Sequence, residues 1–240
     1  MRLEVLPDPM AVAQRAAAFI SEAAREAVQA RGQFLLAISG GHTPLLMLRA
    51  LSSEDVPWNA VHIFQVDERV APAGDADRNL THLRESLLDR VPLPQAHLHA
   101  MPVERAGLGA AATSYAGEMA AVAGDSRVLD LIHLGLGSDG HTASLIPGDP
   151  VLDIADRDVA ITATYAGRRR MTLTFPVLDR AREILWVITG REKAWALARL
   201  AASDRSIPAG RVRGTDAVVL TDADAAPTPP KGSLTCHVNR

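Results

Sequence analysis

Lysine, cysteine and long apolar runs are scarce in this sequence of 240 residues. No uninterrupted apolar run exceeds five residues, whereas a membrane-spanning helix needs ~20. The N-terminal residues also lack a basic segment followed by an apolar one. We therefore expect neither a membrane-spanning nor a secreted protein. The single cysteine, Cys236, excludes an internal disulfide and a cysteine zinc cluster, which favours a cytoplasmic location.

The charge balance excludes a broad nucleic-acid-binding surface. The net charge is -3 and the pI is near 6.2, so there is no excess of positive charge to hold a polyanion. Among the 25 basic residues only Lys193 and Lys231 are lysines. Lys193 is the one inside the main body of the chain. It is either a surface residue or a compact ammonium group that a site requires.

Short apolar segments alternate with helical patterns along the chain. The sequence predicts a helix from Asp8-Pro9 to Gly32, a strand over Phe34 to Ile38, and a helix over Leu45 to Leu51 that Thr43 caps. Further strands are expected at 61–66, 128–134, 159–164, 171–175, 184–189 and 217–220, and further helices around 80–88, 110–122 and 192–202. This alternation predicts an α/β fold with a parallel sheet. We expect one catalytic domain over residues 1–225 and a proline-containing tail over 226–240.

A glycine loop joins the first buried strand to the helix after it. Its sequence is Ser39-Gly40-Gly41-His42-Thr43-Pro44. Backbone N–H groups at a helix start attract anions, and glycines let a phosphate approach closely. A plain tight turn explains the same residues as well, and no Walker sequence follows. Phosphate binding and a structural turn therefore both remain open for this loop.

A second glycine-rich segment, Gly135 to Gly140, follows another buried strand. It matches the G-x-G-x-x-G pattern of dinucleotide-binding proteins, but Pro147-Gly148 comes too soon for the helix that carries a pyrophosphate. We therefore reject that interpretation. Asp139 and His141 lie two residues apart here, and an aspartate beside a histidine orients the imidazole and keeps it basic. The pattern favours His141 as a general base over a purely structural histidine.

Further charged residues are expected at the same edge of the sheet. Asp67-Glu68-Arg69 ends one predicted strand, Lys193 follows another, and Arg168-Arg169-Arg170 leads into a third. Residues at the carboxyl ends of parallel strands meet where open α/β sheets bind their ligands. A solvated turn explains the acidic segment equally well. A solvated basic stretch is the usual explanation of an arginine run, although alternate residues of a strand face inward.

Several common catalytic patterns are absent from the sequence. It has no G-x-S-x-G elbow, no H-E-x-x-H helix and no cysteine–histidine pair of plausible spacing. Serine-hydrolase and metalloprotease chemistry are therefore poor candidates. The histidines in predicted strands and helices are expected to have packing or surface roles, namely His62, His82, His97, His99 and His133.

Six blocks of the sequence, in order and spacing, resemble the 6-phosphogluconolactonase family. The match runs from about Pro9 to Ala226. The blocks are Ser39-Gly40-Gly41-x-Thr43-Pro44, Asp67-Glu68-Arg69, Asp77-x-Asn79, Gly135-x-Gly137-x-Asp139-Gly140-His141-Thr142-Ala143-Ser144-Leu145, Arg170-x-Thr172-Leu173-Thr174 and Thr189-Gly190-x-x-Lys193-Ala194. The resemblance implies a doubly wound, Rossmann-like α/β fold, with a mostly parallel sheet and helices on both faces, as in glucosamine-6-phosphate deaminases.

The resemblance also implies hydrolysis of 6-phospho-D-glucono-1,5-lactone to 6-phospho-D-gluconate in the oxidative pentose phosphate pathway. His141, oriented by Asp139, would deprotonate the attacking water, Asp67 would be an acid–base group, and Arg69 would bind substrate hydroxyls or the oxyanion. The phosphate would be held by Ser39, Gly40, Gly41, His42, Thr43, Arg170 and Lys193. No metal or cofactor is implied. The expected partner is the small phosphosugar lactone, with no nucleic acid and no membrane, and the protein would be a monomer or a homodimer.

Three departures from the family pattern concern the site and the C-terminal block. His42 stands where the family usually has serine, and it either adds a cation beside the phosphate or fills space. Arg78 replaces a small residue and is expected to alter the substrate rim, and the block at 218–222 lacks the expected aromatic residue.

Two alternatives to the lactonase remain. A glucosamine-6-phosphate deaminase needs an acidic residue shortly after the histidine, and residues 142–147 contain none. A non-catalytic sugar-phosphate-binding protein would be expected to lack His141 or Asp139.

Overall fold

The first helix follows its local sequence signals closely. In the computed structural model, which describes residues 1–41, 43–124, 126–214 and 216–226, helix α1 (Pro9–Arg31) begins after Asp8, whose carboxylate accepts a hydrogen bond from the Ala11 N–H. Gly32 ends the helix with a φ of 78°, a left-handed conformation that glycine adopts without strain. The predicted helix between Asp8 and Gly32 is confirmed.

The other elements alternate along the chain as expected for an α/β protein. The strands are β1 (Arg2–Leu6), β2 (Phe34–Ile38), β3 (Val61–Gln65), β4 (Asp67–Arg69), β5 (Leu98–His99), β6 (Leu131–Leu134), β7 (Val159–Ile161), β8 (Arg170–Leu173), β9 (Glu183–Ile188) and β10 (Ala217–Asp222). The remaining α-helices are α2 (Thr43–Leu51), α3 (Asn79–Ser86), α4 (Leu108–Ala123), α5 (Phe175–Arg180) and α6 (Ala194–Ala201). Short 3-10 helices lie at Trp58–Ala60, Leu88–Arg90, Gln95–His97, Pro150–Asp153, Arg191–Lys193 and Ala209–Arg211.

Seven strands form the main sheet, in the order β1-β10-β9-β6-β2-β3-β5. Every pair of neighbours is parallel. Helices α1, α2 and α3 pack on one face of the sheet, and α4, α5 and α6 pack on the other. The predicted doubly wound α/β fold is confirmed. None of the helices in the described part of the chain is long and apolar enough to cross a membrane.

Strands β2 and β6 lie side by side at the centre of this sheet. Both are buried along their whole length, as expected for parallel strands that are covered on both faces. The chain leaves β2 toward β3 on one side and leaves β6 toward β9 on the other. The connections therefore diverge at the carboxyl ends of β2 and β6, which creates the crevice where such sheets bind ligands.

The segment Asp67-Glu68-Arg69 is a strand and not the solvated turn that the sequence also allowed. As β4 it pairs antiparallel with β8, so that Asp67 lies opposite Thr172 and Arg69 opposite Arg170. Asp67 is 5% exposed and Glu68 is fully buried. A second, three-stranded sheet in the order β4-β8-β7 results, and it brings the arginine run to the same crevice.

Other differences from the predicted elements have local causes. The predicted strand at 171–175 stops at Leu173, because Thr174 and Pro176 begin helix α5. The predicted helix at 192–202 is divided into a 3-10 turn and α6. Strands β1 and β5 were not expected from the sequence. Thr43 lies within α2 rather than capping it. His42 and the tail from Pro227 onward lie outside the described residues.

Candidate active site

A cavity of about 290 Å³ opens at the crevice between the ends of β2 and β6. Its lining includes the predicted site residues Ser39, Gly40, Gly41, Asp67, Arg69, His141, Arg170 and Lys193. Asp139 contacts His141 beside this cavity. Of Thr43 only the backbone is described, at the start of α2. The structure therefore brings together residues that lie far apart in the chain.

The His141 ring is held by the carboxylate of Asp139. The ring Nδ1 lies 2.6 Å from Asp139 Oδ1, and the backbone N–H of His141 donates to the same oxygen at 3.1 Å. Burial alone would raise the pKa of Asp139, but the hydrogen bonds and charge of His141 outweigh it and hold that pKa below its usual value. Asp139 therefore stays ionised, and its contact with Nδ1 leaves Nε2 as the ring nitrogen for proton transfer.

The turn after β6 needs glycine where it meets the His141 ring. The Gly137 N–H donates to the His141 carbonyl at 2.8 Å, and the Gly140 N–H donates to the Gly137 carbonyl at 3.0 Å. A Cβ atom on Gly137 would overlap the His141 ring. The glycines that resembled a dinucleotide fingerprint thus serve to pack a histidine against the backbone, and no helix follows them, which supports our rejection of that fingerprint.

The loop after β2 presents backbone to the cavity just before α2 begins. Gly40 lies against Asn79, and a Cβ atom at position 40 would overlap the Asn79 carboxamide. Ser39 is 4% exposed, and its hydroxyl has no hydrogen-bond partner among the described residues. Because the amino end of a helix carries partial positive charge, the loop is suited to a small anion.

Three cations line the cavity, and none lies within 4 Å of a carboxylate of the described residues. Arg69 donates from Nη1 to the Asp77 carbonyl at 2.9 Å and to Asn79 Oδ1, so its partners are neutral. Arg170 lies opposite Arg69 in the β4–β8 pair, and its buried Nε has no hydrogen-bond partner in the part of the chain that the structure describes. Lys193 is the third. This excess of unpaired positive charge favours an anionic ligand.

The electrostatic environment of Arg170 also favours an anionic ligand. Burial, together with the nearby charge of Arg69, lowers the pKa of Arg170 against the opposing attraction of Asp67 and Asp77. An arginine does not lose its proton in proteins. The direction of the shift therefore indicates a guanidinium that lacks a counter-ion, and a bound anion would supply one.

Asp67 is fixed by two residues that sequence reasoning did not assign to the site. Asn79 donates from Nδ2 to the Asp67 carbonyl at 2.9 Å and to Oδ1 at 3.2 Å. Ser144 donates from Oγ to Asp67 Oδ2 at 2.7 Å. Both residues belong to blocks of the family resemblance, which was the signal available in the sequence. Their contacts with Asp67 exist only once the strands are assembled.

Glu68 points away from the cavity and organises the residues around it. Its carboxylate accepts hydrogen bonds from the backbone N–H groups of Arg69, Asn79 and Leu80 at 2.8, 2.8 and 2.9 Å. Since Asn79 and Leu80 begin α3, this buried carboxylate caps the helix from a neighbouring strand. Gln65 Nε2 is a fourth donor at 2.9 Å.

Arg78 completes the environment of Glu68 and does not reach the substrate rim. Its Nε lies 3.0 Å from Glu68 Oε2, and its Nη1 donates to Glu104 at 2.6 Å. The side chain is 1% exposed. Burial would lower the pKa of Arg78, but hydrogen bonds and attraction from Glu104 and Glu68 raise it overall. The prediction that Arg78 alters the rim is wrong, because a buried carboxylate draws the guanidinium into the interior.

Tyr165 was also missed, because it lies in a short hairpin outside any predicted element. Its ring is 6.2 Å from the His141 ring, centroid to centroid, and the Arg170 guanidinium lies 5.2 Å from its centroid. Tyr165 and Arg168 close the hairpin. This tyrosine therefore contacts both the candidate base and one of the cavity cations.

The remaining histidines lie elsewhere. The His62 ring stacks on His97 and on His99, with ring centroids 4.0 and 5.3 Å apart, respectively. His133 is fully buried, and burial lowers its pKa to about 3. His82 lines a neighbouring cavity. No three His, Cys, Asp or Glu side chains of the described residues group as metal ligands, and the expected absence of a cofactor stays a prediction.

Comparisons of sequence with known proteins show which family the chain resembles. The family model for glucosamine-6-phosphate isomerases/6-phosphogluconolactonase matches residues 7–221. The chain is 35% identical over 207 residues to the 6-phosphogluconolactonase of Synechocystis sp., covering 85% of this chain and 86% of the relative. It is 36% identical over 238 residues to that of Mycobacterium tuberculosis, covering 93% and 96%.

Comparison of folds gives the same result. The crystal structure of 6-phosphogluconolactonase from Thermotoga maritima is similar with a TM-score of 0.82 and 28% identity, over 92% of this chain and 98% of that one. A monomeric glucosamine-6-phosphate deaminase also has a TM-score of 0.82, over 94% and 98% of the two chains, but with 17% identity it shows the shared fold alone. The family resemblance noted in the sequence is thus confirmed, and the chain belongs to the glucosamine-6-phosphate isomerase/6-phosphogluconolactonase family.

Proposed function

We propose that this protein is an enzyme that hydrolyses 6-phospho-D-glucono-1,5-lactone to 6-phospho-D-gluconate, a step of the oxidative pentose phosphate pathway. One observation carries the proposal: a single cavity joins the His141–Asp139 pair to three cations without carboxylate partners. That combination suits a substrate with an anionic phosphate at one end and an ester carbonyl at the other. The relatives that carry the name 6-phosphogluconolactonase add independent support.

The phosphate is proposed to bind at the loop after β2. The backbone of Gly40 and Gly41 and the amino end of α2 offer N–H groups and partial positive charge, and Ser39 adds an unpartnered hydroxyl. Arg170 and Lys193 supply full charges. His42 and Thr43 belong to the same block of the sequence, and their side chains stay part of the proposal. Binding energy from this remote group positions the lactone for reaction.

The reaction needs one water molecule and two proton transfers. His141 takes a proton from water through Nε2 while the water oxygen forms a bond to the lactone carbonyl carbon. The tetrahedral intermediate then collapses, the bond from that carbon to the ring oxygen breaks, and the imidazolium returns the proton to the ring oxygen. Asp139 stabilises the imidazolium in between. Base catalysis of this kind contributes about 10² to 10⁴-fold.

Arg69 and Asp67 are proposed to act on the sugar ring and the carbonyl oxygen. Arg69 lines the cavity beside Asn79, where its donors suit substrate hydroxyls or the developing oxyanion. Asp67 is held by Asn79 and Ser144, and we assign it an acid–base role at a substrate hydroxyl. We also propose that residues 1–225 act as one catalytic domain, and the cytoplasmic location stays a prediction.

The test is the decay of freshly generated lactone, followed by NMR against its spontaneous hydrolysis. We expect wild type to accelerate the decay and His141→Ala to lose about 10² to 10⁴-fold in kcat. His97→Ala is the matched control, because His97 lies in the histidine stack and not in the cavity, and it should behave as wild type.

Two outcomes would reject the lactonase. If wild type only matched the spontaneous rate and released ammonia from glucosamine 6-phosphate, the deaminase alternative would replace it. If neither substrate reacted but a phosphosugar bound, the protein would be a sugar-phosphate-binding protein.

A further inference from the structure

A second cavity lies at the opposite end of the strands from the active cavity that His141 lines. It has a volume of about 310 Å³, and its lining includes Ile184 and Ala217, near the amino ends of β9 and β10. The active cavity is lined by Val187 and Ile188, at the carboxyl end of β9. The two cavities share no lining residue, so the second one is a separate concave site.

Three arginines, Arg205, Arg211 and Arg213, line this second cavity, which we call the arginine cavity. None of them lies within 4 Å of a carboxylate of the described residues. No described aspartate or glutamate lines the arginine cavity either. Three like charges around one concave surface repel each other, and a cleft focuses their field. In a chain of net charge -3, this local excess of positive charge attracts an anion.

Three carboxylates lie near this part of the chain but have other surroundings. Asp204 pairs with Arg199, and Asp179 accepts a hydrogen bond from the backbone N–H of Arg213 at 2.7 Å. Asp216 lines a different cavity. The guanidinium groups of the arginine cavity therefore have no counter-ion among the described residues.

Uncharged partners hold Arg211 in place. Its Nη2 donates to the Leu152 carbonyl at 2.9 Å, and its guanidinium lies 4.9 Å from the centroid of the Phe175 ring. These contacts orient the side chain without neutralising its charge. Arg205 and Arg213 are exposed, and their side chains have no hydrogen-bond partner among the described residues. Both are thus available to an anion, and a guanidinium binds phosphate oxygens through two hydrogen bonds at once.

The interior of the arginine cavity is apolar. Ile184, Trp186, Leu200 and Ala217 line it, and each is at most 7% exposed. An inorganic anion would leave this surface in contact with water, whereas an organic group attached to the anion would cover it, which is favourable. The volume is at the small end of the range for ligand pockets. Size, charge and apolar interior together favour a small organic anion.

Two glycines make the wall of the arginine cavity a fixed part of the fold. A Cβ atom on Gly214 would overlap the Ile184 side chain, and a Cβ atom on Gly210 would overlap the Asp204 carbonyl oxygen. The segment between these glycines carries two of the three arginines. Close packing at both of its ends therefore positions these arginines at the cavity.

We propose that the arginine cavity binds a small organic phosphate, that is, a phosphate ester with a flat apolar group. Arg205 and Arg213 hold the phosphate oxygens, and Arg211 supplies a third positive charge. The apolar group lies against Trp186 and Leu200. This binding does not depend on the proposed lactone hydrolysis, because no residue of the active cavity takes part in it.

Proton–nitrogen correlation NMR locates the binding site. The amide signals of Gly210 and Gly214 report the arginine cavity, and those of Gly40 and Gly41 report the active cavity. Titration with phenyl phosphate should shift the signals of Gly210 and Gly214 in a saturable way. Inorganic phosphate should bind there about tenfold more weakly, since it leaves the apolar interior uncovered. Phenol, which carries no charge at neutral pH, should not saturate these shifts.

Removing charge tests the role of the arginines. Arg205→Gln/Arg213→Gln should weaken the binding of phenyl phosphate about tenfold or more, because charge-assisted hydrogen bonds are lost. The matched control is Arg49→Gln/Arg84→Gln, which removes two exposed arginines of α2 and α3 and should leave binding unchanged. Thermal melting of each variant checks that it remains folded.

A second matched pair supplies the missing counter-ion from the protein itself. Val212 lines the arginine cavity, so Val212→Glu places a carboxylate beside the three arginines, whereas Val212→Gln adds the same shape without charge. The glutamate variant should bind phenyl phosphate at least about tenfold more weakly than the glutamine variant. All these variants should keep the kcat/KM of wild type for the lactone, so failure of this binding is distinguishable from failure of the proposed activity.

Three results would overturn the proposal. The first is a set of shifts confined to Gly40 and Gly41, which would show that phenyl phosphate binds in the active cavity alone. The second is binding at Gly210 and Gly214 that Arg205→Gln/Arg213→Gln leaves unchanged. The third is equal binding by Val212→Glu and Val212→Gln, which would show that positive charge does not hold the ligand.

Discussion

Two arginines near the cavity, the buried Arg78 and the half-buried Arg170, have opposite electrostatic surroundings. Arg78 lies between the carboxylates of Glu68 and Glu104, at 3.0 and 2.6 Å. Arg170 faces Tyr165 and Arg69, and no described residue is a hydrogen-bond partner of its Nε. Burying a charge is costly unless it is paired. Arg78 is therefore part of the folded framework, whereas Arg170 is held ready for a ligand that supplies the missing negative charge.

Strand β4 explains how the two environments are so close in space. Its three residues alternate in direction, as in any strand. Asp67 and Arg69 line the cavity, while Glu68 between them is fully buried and binds Arg78. A structural cation such as Arg78 is buried against carboxylates, whereas a binding cation such as Arg170 is half-buried at the cavity and has no carboxylate within 4 Å among the described residues.

The largest expected effect is on the free energy of unfolding, when Arg78, the arginine paired with two carboxylates, is replaced. Arg78→Met leaves Glu68 buried without its cation, and breaking such a pair costs about 3–5 kcal/mol. Urea unfolding should show that loss. The control is Arg168→Met, because Arg168 is 32% exposed and pairs with Asp75 and Asp77 at the surface, where such pairs contribute about 0–1 kcal/mol. Equal losses in the two variants would remove the distinction that we draw for Arg78.

Replacing Arg170, the arginine without a carboxylate partner among the described residues, should weaken substrate binding without destabilising the fold. Arg170→Met should raise KM for the lactone about 10–100-fold, the equivalent of one or two charge-assisted hydrogen bonds. Its free energy of unfolding should be unchanged or higher, because the variant loses a half-buried charge that has no carboxylate partner among the described residues. Arg169→Met, at the exposed neighbouring position, is the matched control and should leave KM unchanged. A destabilised Arg170→Met variant with a normal KM would reverse the assignment.

His62 differs from both arginines because it can lose its charge when it is partly buried. Burial, followed by repulsion from His97 and His99, lowers the pKa of His62 from 6.5 to about 4. Unlike Arg170, His62 avoids an uncompensated charge by staying neutral. Above pH 6.5 neither the folded nor the unfolded chain protonates it, whereas between 6.5 and about 4 the unfolded chain binds the proton more tightly. The free energy of unfolding should therefore fall as the pH decreases through this window.

His62→Gln should make that slope shallower in urea titrations at several pH values. The neighbours that face His62 are the rings of His97 and His99, and Glu118 pairs with His99 at 2.7 Å. His133 remains in both proteins and contributes equally. Identical slopes in wild type and variant would show that His62 is not kept neutral.

The smallest effect is expected at the ring that accompanies Arg170. Tyr165→Leu removes a cation–π contact of about 0.5–1 kcal/mol and should raise KM about two- to fivefold. Tyr165→Phe keeps the ring and should resemble wild type. If Tyr165→Phe were as impaired as Tyr165→Leu, the hydroxyl and not the ring would be the important group.

The parts of the fold that local sequence determines were predictable. Asp8 and Gly32 mark the ends of α1, and Phe34 to Ile38 forms a buried parallel strand, because caps and apolar runs act over a few residues. The same holds for the loop that starts at Ser39 and for His141 beside Asp139. Both lie at carboxyl ends of strands, and any parallel sheet brings such ends to one edge.

The features that were missed depend on distant partners. Strand β1 is an exposed edge strand without a buried apolar run, and β4 forms only because β8 pairs with it. The sequence analysis predicted Arg78 at the substrate rim. The residues next to it in the sequence do not show that its guanidinium pairs with Glu68 and Glu104. Contacts between residues that are far apart in the sequence determine where these strands and this side chain lie.

Steady-state kinetics with the lactone test whether Lys193 and His141 have separate roles in the cavity, phosphate binding for Lys193 and base catalysis for His141. Lys193→Ala should raise KM strongly with little change in kcat, because Lys193 grips a phosphate remote from the reacting carbonyl. His141→Ala should lower kcat by about 10² to 10⁴-fold with little change in KM. If both variants changed kcat and KM alike, phosphate binding and base catalysis would not be separate functions of these two residues.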